Sequence, residues 1–420
     1  MKVSALKTDS RTEVKPLRGL DVQSYGERND YPQRVDEIVA ASITGSSCLR
    51  VYASFIAGRG FADQLLWQTV LNRRGDTADD VLGAVSQDLA RFGGFALHVN
   101  WNAAYKITEV THVPFEFTRL GLDDSKEHSG MIAIHPDWGR RRTALKRFDT
   151  KDIDWLHPFN PDKVREEVTK AGGWKNYKGQ VLWYSNAGRK CYPVPIFDAA
   201  LTDMSAEEGL GNVALRNVRN NYLPAGMFID HNNALESKEQ EEEMIHELKE
   251  FQGDTNSGKI LYFNLKDGEQ VPEFKPFDTR NVDKDFEQTD SNVPEKIGRA
   301  FNQPPILRAK DVGANFGADL MRNAYDFYNS VTETERFAVE RVFRQVLSLF
   351  AVRVMEQEDY SIQAKEYRVN ETLAERLGDN TDKVLEVLFD GGKSESAKRA
   401  VLKVVYGLAD WDIDTLITSL

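Results

Sequence analysis

Residues 278–350 read DTRNVDKDFEQTDSNVPEKIGRAFNQPPILRAKDVGANFGADLMRNAYDFYNSVTETERFAVERVFRQVLSLF, and this stretch decides the architecture. In its first third Val282, Phe286, Val293, Ile297 and Phe301 recur at intervals of four and seven, the seam of a helix with one narrow apolar face. Asp283, Lys284, Asp285, Glu287 and Asp290 occupy the other faces, so the helix packs one stripe and leaves the rest wet. Pro294 is expected to kink or divide it. Gln303-Pro304-Pro305 ends it, because proline disfavours the α region in the residue before it and donates no hydrogen bond. A loop over 306–318 follows, slackened by Gly313 and Gly317 and made basic by Arg308 and Lys310. Beyond it a long helix carries Leu320, Met321, Ala324, Phe327, Tyr328 and Val331 on one face. Thr332 and Glu335 then spell a Thr-x-x-Glu capping box that restarts a helix, whose apolar set is Phe337, Val339, Val342, Phe343, Val346, Leu347 and Phe350.

Upstream and downstream the pattern alternates between helix and strand. Residues 1–30 lack periodicity and read as an extended or partly ordered arm. Asn29-Asp30-Tyr31-Pro32 introduces a helix with Ile38, Ile43, Val51, Phe55 and Ile56 on its apolar face, ending near Gly58. A second helix starts at Thr77, with Asp80 completing a capping box, and stops at Gly93-Gly94. The period then changes to two: 95–101, 107–113 and 116–120 read as strands, joined by 131–134 and 180–184. Residues 157–179 are polar and read as a surface helix with loops, with Trp155, Trp174 and Tyr177 near Lys175 and Lys178. Such aromatics can stack nucleobases, seal a subunit contact or fold onto the sheet. Residues 198–222 form a helix, with Asp198, Asp203, Glu207 and Glu208 in its first half and Arg216 and Arg219 in its second. A compact insert follows: strand 226–230, an acidic helix over 237–251, strand 259–265 and a last strand at 271–277. Residues 358–367 read as a short returning strand. Helices at 372–377, 382–389 and 394–406 close the chain.

Composition narrows the function. The 420 residues are 41% hydrophobic and 29% charged, and no run approaches the roughly 18 apolar residues of a membrane span. With neither span nor secretory signal, a protein made in the cytoplasm is expected. Two cysteines, Cys48 and Cys191, are too few for a Cys-based metal site, and the seven histidines show no metal-ligand spacing. A net charge of -12 argues against gripping nucleic acid by phosphate neutralisation. Acidic walls with a few placed cations would instead let a duplex slide. Gly253 to Lys259 imitates half of a phosphate-binding loop. However, Ile260 stands where Ser or Thr should hold magnesium, and the flanking helix and strand are in the wrong order.

The order of helix, IGRAFNQPP, glycine-containing loop and YDFYNSVTETERFAVERVFRQVL resembles the portal proteins of tailed bacteriophages, as does the opening NDYPQRVDEIVAASITGSSCLRVYASFIAGRGF. The resemblance implies an α+β portal fold: an arm (1–30), an α/β wing (31–195), a first stem helix (196–222), an α/β clip (223–277), a second stem helix (278–302), a tunnel loop (303–318), a long wing helix with a return strand (319–367) and a helical crown (368–420). It implies a dodecameric ring at one capsid vertex, made in a host bacterial cytoplasm. Its partners would be the terminase large subunit, the major capsid protein, a head-tail connector and non-specific double-stranded DNA in the channel. It would carry no catalytic site, metal or cofactor and touch no membrane. Arg308, Lys310, Arg280 and Lys284 become the residues expected to face DNA, unless they make salt bridges with Asp283, Asp285 or Asp311. Glu239, Glu241, Glu242 and Glu243 become a negative clip surface for terminase or connector, and Val282, Phe286, Val293, Ile297 and Phe301 the stem packing. Two rivals stand beside this reading: an acidic α/β protein-interaction module, and a nucleotide-dependent enzyme using the Gly253 loop.

Overall fold

Ser42 sets the first corner of the chain. Helix α1 (Tyr31–Ala41) and helix α2 (Ile43–Ala57) turn by 109° at this residue, whose extended backbone lets its hydroxyl accept from the Gly45 amide and cap α2. One apolar face was expected to run from Ile38 through Ile43. The corner instead leaves Ile43 82% exposed and buries Val35, Val39, Cys48, Leu49, Tyr52, Phe55 and Ile56. The structure is a computed structural model describing residues 13–138, 150–188, 191–219, 226–229, 273–276, 282–308, 318–352, 359–367, 381–389, 392, 394–404 and 413. Among these, no single helix is long and apolar enough to cross a membrane.

After a short helix α3 (Gln64–Gln68), helix α4 (Ala78–Phe92) begins with the expected reciprocal Thr77–Asp80 capping box and ends at Gly93, whose φ of 77° is left-handed. Its buried stripe, Val81, Leu82, Val85 and Leu89, covers a sheet of β3 (Gly94–Trp101), β4 (Ile107–Val113), β5 (Thr118–Leu120), β6 (Ile132–Ile134), β7 (Asp154–Pro158) and β8 (Gln180–Ser185). The order is β4-β3-β8-β7-β6-β5, antiparallel throughout except where β7 meets β8. The expected strand over 116–120 is shorter. Phe115 is fully buried and its amide donates to Asp88, so 115–117 curls into a 3-10 turn before β5. Strand β7 was not expected; polar Asp154 and His157 hid its pattern. In the surface stretch after it, helix α5 (Val164–Lys170) forms as read.

The expected loose arm is corrected for residues 13–30. They form a small hairpin, β1 (Pro16–Leu17) with β2 (Val22–Gln23), and then drive Tyr25 into the core. Tyr25 stacks on Tyr192 at 4.2 Å between ring centroids and donates to the Pro193 carbonyl at 2.7 Å. Beside it Arg119 is wholly buried; its guanidinium lies 5.4 Å from the Tyr25 ring centroid and donates to the carbonyls of Asn29, Glu116 and Thr118. Burial lowers its pKa to about 10, so it stays charged at neutral pH. Neither aromatic pattern nor charge pattern in the first thirty residues announces these long-range partners.

Two further helices follow: α8 (Ala318–Val331), which belongs to this unit from Asn323 on, and α9 (Glu333–Leu347). Thr332 does divide them, but not through a capping box. It is fully buried, donates to the Tyr328 carbonyl at 3.0 Å and accepts from Arg336 at 2.7 Å, while Glu335 accepts from the Tyr52 hydroxyl at 2.8 Å. Val339, Val342, Phe343, Val346 and Leu347 are buried as expected, whereas Phe337 and Phe327 are 59% and 56% exposed. Residues 359–367 were expected as a short returning strand; instead of a strand they make one isolated bridge and a few backbone hydrogen bonds. Ser361 and Gln363 hydrogen-bond across to Gly60, Arg59 and Ala62, with Ile362 bridged to Phe61.

A second unit, residues 316–322 and 366–420, contains α10 (Thr381–Phe389) and α11 (Glu395–Val404). Val384, Leu388 and Leu402 are buried in it, and Lys398 donates to the Leu388 carbonyl at the end of α10. The helix expected at 372–377 lies outside the described residues.

Candidate functional site: a rooted pair of helices

Helix α6 (Leu201–Arg219) leaves the sheet region after a 3-10 turn at Asp198–Ala200, and helix α7 (Val282–Ala300) comes back to it. Asp203 near the start of α6 pairs with Lys296 near the end of α7 at 3.3 Å, which makes the two helices antiparallel. Past α6 the chain enters β9 (Gly226–Ile229), and before α7 it leaves β10 (Glu273–Pro276), paired antiparallel with Gly226 opposite Pro276. The whole insert is therefore entered and left through one two-stranded ribbon. Of the acidic clip residues, Glu239, Glu241, Glu242 and Glu243 lie outside the described residues, as does the Gly253 loop.

The root of the pair is densely packed. Phe197 stacks on Phe301 with centroids 4.7 Å apart, Tyr52 of α2 meets Phe301 edge-on, and Met204, Val293 and Ile297 are buried between them. Of the expected packing stripe, Val293, Ile297 and Phe301 are buried here. Val282 and Phe286 lie on the same helix, but their side chains are outside the described residues. Pro294 does not divide α7, which runs through it unbroken. The hydrogen bond it removes is to the carbonyl of Asp290, an exposed residue whose carbonyl can turn to water.

Polar contacts at the root were not foreseen. Asp198 accepts from the Tyr31 hydroxyl at 2.5 Å, and Glu207 accepts from Ser42 and from the Thr44 hydroxyl and amide, closing the first turn of α2. The sequence showed Glu207 only as one of four acids favoured by the dipole of its own helix. Outward of Glu207 the character changes. Glu208, Gly209 and residues 211–215 are all exposed, Val213 by 46% and Leu215 by 48%.

At the far side of the root, α7 ends in a Schellman turn. Asn302 adopts φ 51°, and the Gln303 amide donates to the Gly298 carbonyl at 3.0 Å. Gln303 itself is buried, and neither of its side-chain amide atoms is bonded among the described residues. A 3-10 turn over Pro305–Arg308 follows, with Ile306 buried. Arg308 does not reach outward from it. Its guanidinium folds back on α7, donating to the Pro294 carbonyl at 3.2 Å and pairing with Glu295 at 3.3 Å, and its side chain is 10% exposed. Lys310 and Arg280 lie outside the described residues, and Lys284 sits on α7 with its side chain undescribed.

The aromatic and lysine cluster folds onto the sheet. Trp174 packs against Tyr105 and Tyr177, Arg165 lies over Tyr105, and Lys178 pairs with Asp154 at 2.6 Å.

No family model matches the sequence, and no curated protein matches it. Among solved structures the chain is similar to a chain in the virion of a native gene transfer agent particle, at 17% identity over 90% of this chain and 94% of that one, with a TM-score of 0.45. A chain from the neck of such a particle, determined with C12 symmetry, matches at 17% identity over the same shares with a TM-score of 0.43. An HK97-family phage portal protein from Corynebacterium diphtheriae matches at 11% identity over 69% of this chain and 82% of that one, with a TM-score of 0.39. The last of these structures bears the name of the family that the sequence motifs resemble.

Proposed function

We propose that the chain is a portal subunit: copies assemble as a ring at one capsid vertex and form the channel through which double-stranded DNA is packaged and ejected. The observation that carries this is the rooted helix pair. A dense apolar base locks α6 and α7 to the wing, while α6 beyond Glu207 exposes Val213 and Leu215 among the described residues. Apolar residues on a slender projecting helix are stabilised when neighbouring copies stand on either side. In this reading the insert beyond the β9–β10 ribbon is the clip, which docks the terminase large subunit and then the head-tail connector, with Glu239, Glu241, Glu242 and Glu243 as its negative face. The wing seats against the major capsid protein. The assembled chain performs no chemical step.

The channel cations under this proposal are Lys310, Arg280 and Lys284. Arg308 is withdrawn from that set, because its guanidinium is occupied on α7. A few cations on an acidic wall guide a duplex without holding it. Replacing Arg280, Lys284 and Lys310 together by Ala should leave rings intact and lower the yield of packaged genomes. Normal yield would remove these residues from the channel, and loss of rings would reassign them to subunit contacts. Reversing Glu241, Glu242 and Glu243 to Lys should weaken terminase docking; unchanged docking and connector attachment would remove the clip's acidic face from the account.

A further inference from the structure

Between α7 and the loop that follows it, one arginine sits where a side chain on the helix would stand. A Cβ built on Gly298 would overlap the Arg308 guanidinium, reaching Nε at 2.6 Å. The missing side chain at Gly298 is therefore what lets Arg308 lie flat on the helix backbone. From there it reaches two acceptors one turn earlier, the Pro294 carbonyl and the Glu295 carboxylate. Glycine within a helix costs about 1 kcal/mol relative to alanine, so this position is held at a local disadvantage. The carboxylate is three-quarters covered and the guanidinium nine-tenths covered, which makes the pair stronger than an exposed one. The guanidinium Nε has no partner among the described residues, so the contact holds through two of its three nitrogens.

We infer that Gly298, Glu295, the Pro294 carbonyl and Arg308 form a latch that fixes the first turn of the loop to α7, with Arg308 as a positioning residue. The latch stands on the geometry alone. Its role in setting where the loop meets DNA rests on the portal reading. The latch couples α7 to the 3-10 turn that follows it. A shift of α7 moves both acceptors, and Arg308 carries the Pro305–Arg308 turn with them.

Gly298→Ala is an incisive test because it improves helix propensity while expelling only the end of a flexible side chain. Amide hydrogen exchange in the full-length protein should show peptides covering 304–308 losing protection about tenfold in Gly298→Ala and in Arg308→Ala. Amides of 293–300 should be unchanged or slower in Gly298→Ala. Glu295→Gln should have a smaller effect that disappears when Arg308 is already Ala, the signature of a coupled pair. Unchanged protection over 304–308 in both Gly298→Ala and Arg308→Ala would overturn the latch, as would full additivity of Glu295→Gln and Arg308→Ala. Genome packaging tests the second layer. Lost protection with reduced packaging by intact rings supports both readings. Lost protection with normal packaging keeps the latch and rejects its role toward DNA.

Discussion

The carboxylate of Glu207 accepts hydrogen bonds from the Thr44 hydroxyl at 2.6 Å and from the Thr44 amide at 3.2 and 3.3 Å, although the two residues sit 163 positions apart. A side chain on the first projecting helix thereby satisfies free donors at the start of α2, inside the wing. Glu207→Ala should lower stability by about 1–2 kcal/mol, the usual worth of a helix cap and a charged hydrogen bond, because Ser42 still caps Gly45. Urea denaturation of the variant checks this. An unchanged midpoint would mean that water replaces the carboxylate at no cost.

Gly58 and Gly298 should respond differently to alanine. Gly58 has φ 60°, and a Cβ there would collide with the backbone carbonyl of Gln363, which cannot swing away. Gly58→Ala should cost about 2–4 kcal/mol from left-handed strain and loss of the return pairing. Gly298→Ala displaces a side chain instead and should be close to neutral in a thermal melt.

Gln303 is a buried amide with neither polar atom bonded among the described residues. Replacing it with Met keeps the volume and removes the unmet groups, and should raise stability by roughly 1–2 kcal/mol. A lower melting temperature for Gln303→Met would point to an ordered water at that site.

Cys48 is buried on α2, and burial raises its thiol pKa to about 11. It should stay unmodified by a maleimide at pH 8 until the protein is unfolded. Cys191 is partly exposed and should react first, slowed by a pKa that burial also raises. Equal rates for both thiols would contradict the packing of α2.

Asp21 is held below its usual pKa by hydrogen bonds from Ser125 and His128. A depressed folded pKa gives stability that is present above the unfolded value near 4 and lost as the pH falls through the folded one. Asp21→Asn should flatten that part of the acid limb, measured as melting temperature between pH 5 and 2. An unaltered limb would assign the acid sensitivity to other carboxylates.

The legibility of this fold followed the range of the forces involved. The Thr77–Asp80 box, the Gly93 stop, the strands β3, β4, β6 and β8 and the Val293, Ile297 and Phe301 stripe are written locally, in caps and periods, whereas β7 is not. Thr332 spelled the same box, yet burial turned its hydroxyl to Tyr328 and gave Glu335 to Tyr52, because a buried hydroxyl takes the nearest carbonyl. Phe337 continued the apolar count of its helix but faces outward, since spacing gives a face only to within a residue. Tyr25 was lost in an unpatterned arm because two of its ring partners, Phe115 and Tyr192, lie some ninety and more positions away. Arg308 looked like a free cation because nothing local shows that Gly298 leaves it a seat.

The central claim is that copies of this chain close into a ring around a channel. Native mass spectrometry of the purified full-length protein reads it directly. The account predicts a discrete assembly of about twelve 47.6 kDa subunits, seen end-on as rings with a central hole in electron micrographs. A single species at 47.6 kDa at micromolar concentration, with no larger assembly in the presence of capsid protein, would contradict it.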